Sequence, residues 1–333
     1  MLKLIYYPIF LFGYLFFKAT KKTLLYSYAS FRKIFVLTHG QSNDNLSKTI
    51  NAKVGKYNDV KANGILGNLS QNQLKEMVAE VQQNGYFIFD TMLPETMIKE
   101  IYTYASNEPV TYLDIHSKKF QESSKDKIIF DAENAVSPRY DFTSAQILKC
   151  PKLQQLIFDA SLLAFAQAYL GCKPILDLVA FWWSAPFQGK AKSAAAQMYH
   201  FDLDRIKFLK FFFYLTDVDT DTGPFCYVKG SHKTLPPAIT RDGRFEDNEI
   251  ETIYGKENIL ELCGKRGTIM AVDTRGFHKG KDLLREQRLM FQIEFANSMF
   301  GQAYSPCKID YASPSYQQIA EHYSHTYQQI FFH

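Results

Sequence analysis

The chain has 333 residues, a formal net charge of +4, 46% hydrophobic and 15% aromatic residues. The length suits one catalytic domain with extensions. The mild charge, without a basic cluster interleaved with aromatics, gives no support to a nucleic-acid interface. The 28 Phe and 21 Tyr favour a β-rich interior. The five cysteines form no CxxC pair, which argues against a disulfide scaffold and for a reduced, cytoplasmic compartment.

The first element is apolar. Residues 4–17 carry no charge, with Lys3 before them and Lys18, Lys21 and Lys22 after. As a helix these fourteen residues would span only about 21 Å, short of a bilayer core of roughly 30 Å. No small-residue cleavage site follows. Two readings stay open: a peripheral contact with a membrane surface through residues 4–17, and a helix packed on the catalytic domain or left as an extension.

Residues 40–69 are polar and lack periodicity, which reads as a linker. Ser70 is placed to cap a helix running through Gln83, with Leu74, Met77, Val78 and Val81 on one side and a stop near Gly85. Tyr86–Asp90 reads as a strand and Pro94 opens a second helix toward Ala105. A third helix is predicted from Pro151 to Gly171. Strands follow around Leu178–Trp183, Ile206–Leu215, Phe225–Val228, Thr268–Val272 and Leu289–Phe295. Residues 206–215 are apolar on both faces except Lys207 and Lys210, which marks a central, covered strand. Ser313–His333 reads as an aromatic-containing helix docked on the rest.

Helices early and strands late predict an α+β, mainly β, fold: a double-stranded β-helix (jelly roll, cupin-like) core backed by helices, with an N-terminal apolar helical extension. The expected organisation is an apolar, basic segment (1–39), a polar linker (40–69), a catalytic domain (70–300) and a helical tail (301–333).

Chemistry concentrates in four residues. In Tyr199-His200-Phe201-Asp202 a spacing of two puts imidazole and carboxylate on one face of a strand, so both reach one metal. His278 would complete a 2-His-1-carboxylate set, which leaves coordination positions open on iron(II). Arg288 opens the alternating run Arg288–Phe295, where a guanidinium can grip a carboxylate bidentately. Asp204 shares the face of Asp202 and is a rival, though about 6–7 Å further along a strand. Arg285 rivals Arg288 from a polar loop. Gln292 and Glu294 share the face of Arg288, as in a polar barrel lumen.

Other clusters lack partners. Asp217, Asp219 and Asp221 mimic a calcium loop, but Thr222 and Val228 stand where its Gly and Glu belong. His322 and His325 have the spacing of a metal pair without an evident third ligand.

The order His200-Phe201-Asp202, Thr222-Gly223-Pro224, Gly230-Ser231-His232-Lys233, Gly267 through Gly280, then Arg288 resembles the phytanoyl-CoA dioxygenase-like group of Fe(II)/2-oxoglutarate-dependent oxygenases, over roughly residues 70 to 300. One departure is Lys229, where the family usually has proline. The resemblance assigns the second imidazole ligand to His278 and leaves His232 as a turn residue. It implies iron(II) on His200, Asp202 and His278, 2-oxoglutarate held by Arg288, and dioxygen and a small molecule as the other partners. Hydroxylation of a C–H bond with release of succinate and carbon dioxide would follow. Related halogenases replace the carboxylate with a small residue, so Asp202 argues for hydroxylation. The alternative is an inactive jelly-roll binding or scaffold protein, in which these four residues would have no reason to be retained together. Trp182, Trp183, Tyr199 and Tyr214 are candidates to line a pocket or fill the core.

Overall fold

Side-chain alternation along the long strands divides the interior in two. The strands are β1 (Tyr86–Ile88), β2 (Thr111–Tyr112), β3 (Arg139–Asp141), β4 (Ile175–Ser184), β5 (Phe208–Tyr214), β6 (Phe225–Val228), β7 (Ile259–Leu262), β8 (Ile269–Val272), β9 (His278–Gly280) and β10 (Arg288–Ala296). In the computed structural model, which describes residues 3–117, 122–187, 196–302, 307–309 and 312–332, they form a seven-stranded sheet ordered β1-β8-β5-β10-β4-β3-β2 and a three-stranded sheet ordered β9-β6-β7. All pairings within these two sheets are antiparallel.

Phe211 and Phe213 of β5, with Phe291, Ile293 and Phe295 of β10, face a core shared with the helices. Their neighbours Phe212, Tyr214 and Met290 face inward and meet Phe225, Tyr227 and Leu262 of the smaller sheet. This period-2 division is why both faces of the 206–215 run are apolar. The result is the expected jelly roll with helices against one sheet.

Local signals hold at several boundaries. Ser70 accepts a hydrogen bond from the Gln73 amide in a capping box, and Gly85 ends that helix at φ 91°. The predicted 151–171 helix is broken, however, into Pro151–Ile157 and Ala160–Leu170. Asp159 causes the break: its carboxylate caps the second helix at Leu162 and also accepts from the Ile65 amide. The tail differs too. Its helix covers only Pro314–His322, and Ile330–Phe332 pairs in parallel with Cys307–Ile309. Tyr316 and Tyr327 pack on Phe158 at 5.0 and 4.9 Å between ring centroids, which turns the chain back onto the domain.

The N-terminal segment forms α1 (Lys3–Thr20), α2 (Leu25–Leu37) and α3 (Gln41–Val54). Phe10, Tyr14 and Phe17 of α1 meet Phe300 edge-on at 5.5–5.6 Å, so one face of the apolar segment is packed on the domain. Gly13 lets α1 touch α2: a Cβ there would sit 1.7 Å from Ser27 Oγ. No helix among the described residues is long and apolar enough to cross a membrane.

Residues 41–54 correct the linker expectation. α3 docks through polar side chains: Asn43 Nδ2 donates to the Ile206 carbonyl (2.9 Å), Ser47 Oγ accepts from Asn297 Nδ2 (2.9 Å) and Asn51 Nδ2 donates to the Leu170 carbonyl (2.6 Å). Asn43 and Ser47 are buried. A docking face made largely of amides and a hydroxyl leaves little hydrophobic period to read.

Candidate active site

The two histidines are joined through the backbone. His200 and His278 form an antiparallel bridge and exchange both N–H···O bonds, at 3.0 and 2.8 Å. Residues 199–202 are thus bridged and extended rather than part of a continuous ladder, and the Asp202 amide is tied to the Thr274 carbonyl at 2.8 Å. The imidazole and carboxylate still share a face, as the spacing predicts. The loop delivering His278 is braced by Ser231 of the Gly-Ser-His turn, whose hydroxyl accepts from the Phe277 amide at 2.8 Å.

Both imidazoles have their tautomer set. His200 Nδ1–H donates to the Met198 carbonyl (3.0 Å) and His278 Nδ1–H to the Gly276 carbonyl (2.9 Å), an assignment that follows from carbonyls being acceptors only. Each Nε2 lone pair is then directed at Asp202, 3.7 Å away for His200 and 3.5 Å for His278. One ligand atom from each of the three residues lies within 4.8 Å of the others. The Phe225 ring stacks on His278 at 5.2 Å.

Protonation suits a cation. Burial, and His278 beside it, push the His200 imidazole down to about 3. Burial also lowers His278. Burial opposes the charge on Asp202, but the Lys210 ammonium 2.7 Å away outweighs it and holds the carboxyl below its usual range. Neutral imidazoles and an ionised carboxylate are what a divalent metal requires. The donor set, with Nδ1 protons anchored on carbonyls, fits iron(II).

The rival residues separate. Asp204 contributes nothing to the cluster; it accepts from Lys210 Nζ at 3.1 Å, and burial raises its pKa. Arg285 stands in solvent among Asp219, Asp221 and Glu286. Arg288 is buried and lines the same cavity as His200, Asp202 and His278, about 300 Å³ in volume. Its Nη2 donates to Ser184 Oγ at 3.2 Å, while Nε and Nη1 have no partner among the described residues. An unsatisfied buried guanidinium is costly unless an anion meets it.

The other sequence candidates are placed as follows. Gln292 and Glu294 are buried. Gln292 lines the cavity and Glu294 lies 3.3 Å from Lys210, so the lumen is polar as expected. Trp182 lines the cavity, whereas Trp183, Tyr199 and Tyr214 fill cores. His232 Nε2–H donates to the Gln82 carbonyl and is outside the metal cluster. His322 pairs with Asp59.

Sequence reasoning noted Lys210 only as an exception in an apolar strand. Its Nζ lies 2.7 Å from Asp202 Oδ2. Arg139, Arg244 and Lys281 also line the cavity and carried no recognisable signal.

Comparison with solved structures gives AviO1 from Streptomyces viridochromogenes Tue57 at 14% identity, TM-score 0.46, covering 71% of this chain and 100% of that one. SnoN, the non-heme alpha ketoglutarate dependent epimerase from nogalamycin biosynthesis, is similar at 17% identity and TM-score 0.48, covering 68% and 84%. EctD from S. alaskensis stands at 16% identity and TM-score 0.48, covering 73% and 80%. Among curated protein sequences none matches. The family model described as phytanoyl-CoA dioxygenase (PhyH) matches residues 81–284, more than half of the chain. This protein belongs to the phytanoyl-CoA dioxygenase family, whose cofactors are iron(II) and 2-oxoglutarate.

Proposed function

We propose that the chain is an iron(II)- and 2-oxoglutarate-dependent hydroxylase of a small-molecule or lipid-like substrate, releasing succinate and carbon dioxide, with residues 70–300 as its catalytic unit. His200, Asp202 and His278 would hold the metal and Arg288 the distal carboxylate of 2-oxoglutarate. The observation that carries this reading is the meeting of both Nε2 atoms, Asp202 and a half-unsatisfied buried guanidinium on one cavity.

When bound, iron(II) supplies the dioxygen activation that couples decarboxylation of 2-oxoglutarate to oxidation of the substrate. The chain's own residues position and protect. The Met198 and Gly276 carbonyls keep both Nε2 atoms aimed inward. Arg288, steadied by Ser184 at Nη2, keeps the N–H donors of Nε and Nη1 available to a carboxylate. Trp182, Phe212, Phe225 and Met290 give the cavity apolar walls that limit water around the reacting C–H bond. The outward apolar face of α1 is in keeping with a lipid-like substrate met at a membrane surface.

The test is succinate release from 2-oxoglutarate by the iron-loaded protein, measured with and without dioxygen, beside 2-oxoglutarate binding to the anaerobic iron form. Iron-dependent release supports the reading. A protein that takes up iron yet neither binds 2-oxoglutarate nor forms succinate is instead the jelly-roll binding protein.

A further inference from the structure

The face of α1 turned away from Phe300 is uncovered. With 3.6 residues per turn, Phe10, Tyr14 and Phe17 fall on the packed side and Ile5, Leu11, Phe12 and Leu15 on the other. Those four are 58%, 55%, 66% and 60% exposed. Leu25 and Tyr26, at the start of α2, are 77% and 81% exposed. Eight of the thirteen exposed large hydrophobic side chains among the described residues lie in the first 26 residues, so the exposure is concentrated rather than scattered. Contiguous patches of this kind mark interaction surfaces.

The charges beside the patch select the partner. Lys18, Lys21 and Lys22 are exposed at the end of α1 and just beyond it. None of them has an ion-pair partner among the described residues. No Asp or Glu precedes Asp44 in the sequence. A second copy of the chain packed through the same face would bring the lysines of both copies together. An anionic lipid surface offers both an apolar layer and negative phosphates.

We infer that the outer face of α1 and the start of α2 seat the protein on an anionic membrane surface. α1 lies in the interfacial plane with Phe12 and Leu15 among the acyl chains and the three lysines against headgroup phosphates. Because its inner face is packed on the domain through Phe300, the helix needs no rearrangement to dock. The inference is independent of the reaction, since it concerns binding alone.

The experiment is co-sedimentation of the full chain with vesicles of phosphatidylcholine alone or phosphatidylcholine mixed with phosphatidylglycerol. Wild type is expected to sediment with the mixed vesicles, and the joint variant Phe12→Asp with Leu15→Asp to partition at least about a hundredfold less. Both positions are exposed, and circular dichroism checks that the fold is kept. Should that variant fail to fold, Lys18→Gln, Lys21→Gln and Lys22→Gln together test the same surface, each expected to cost about fivefold. Wild type remaining in the supernatant with mixed vesicles overturns the inference, as does equal sedimentation of all variants. Lipid-free self-association that the Phe12 and Leu15 changes abolish assigns the face to a second copy and also overturns it.

Discussion

Lys210 places its ammonium 2.7 Å from Asp202 Oδ2, so a cation from the central strand holds the carboxylate proposed to bind iron. The same nitrogen reaches Asp204 at 3.1 Å and Glu294 at 3.3 Å. Lys210→Met would leave these carboxylates buried without their cation and favour their protonation, which competes with metal. Iron(II) affinity is expected to fall about 10–100-fold, as for other residues that orient metal ligands. Lys210→Arg should restore much of it. A metal titration of the three proteins checks this, and unchanged affinity in Lys210→Met refutes the role.

The division between the two aspartates can be read directly. Asp202→Ala is expected to abolish coupled turnover and stoichiometric iron binding, and Asp204→Ala to leave iron bound. Likewise His278→Ala should lose iron while His232→Ala retains it, because His232 is bonded to the Gln82 carbonyl away from the cluster. Iron content after gel filtration separates the four variants.

Arg288→Lys substitutes a point charge for a fork. Charged hydrogen bonds are worth about 1.5–3 kcal/mol, so 2-oxoglutarate binding to the anaerobic iron form should weaken by roughly ten- to a hundredfold, with iron retained. Arg285→Lys, in a surface cluster of carboxylates, is the control and should bind normally. Reversal of the two results would move the role to the loop.

Burial lowers the pKa of His232, which favours its neutral form in the fold. The stability this contributes is present above the unfolded value of about 6.5 and is lost as pH falls toward the lowered folded value. Urea unfolding of wild type between pH 7 and pH 5 (~0.01 M ionic strength changes being immaterial to a buried group) should show declining stability. The slope should be shallower in His232→Gln. Identical slopes would exclude His232 as a contributor.

Asn43 is fully buried and donates to the Ile206 carbonyl. Asn43→Ala leaves that acceptor unpaired and should cost about 1–3 kcal/mol, measured by chemical denaturation. A change within experimental scatter would mean that α3 contributes little to the domain.

Short-range spacing was enough to read much of this protein. His200 and Asp202 share a face because extended backbone alternates sides, and the alternation of Arg288, Met290, Gln292 and Glu294 against Leu289, Phe291, Ile293 and Phe295 marks one polar-lined and one apolar face of β10. The caps at Ser70 and Gly85 are local for the same reason. Spacing already favoured Asp202 over Asp204, but only the tertiary structure brought Lys210 to both carboxylates and the Thr274 carbonyl to the Asp202 amide. It also decided the status of α3, whose polar docking groups find partners at Ile206, Leu170 and Asn297. Contacts between residues so distant in sequence leave no periodic trace: a hydrogen bond or ion pair made across the fold depends on where the partner is brought, not on the pattern around either residue.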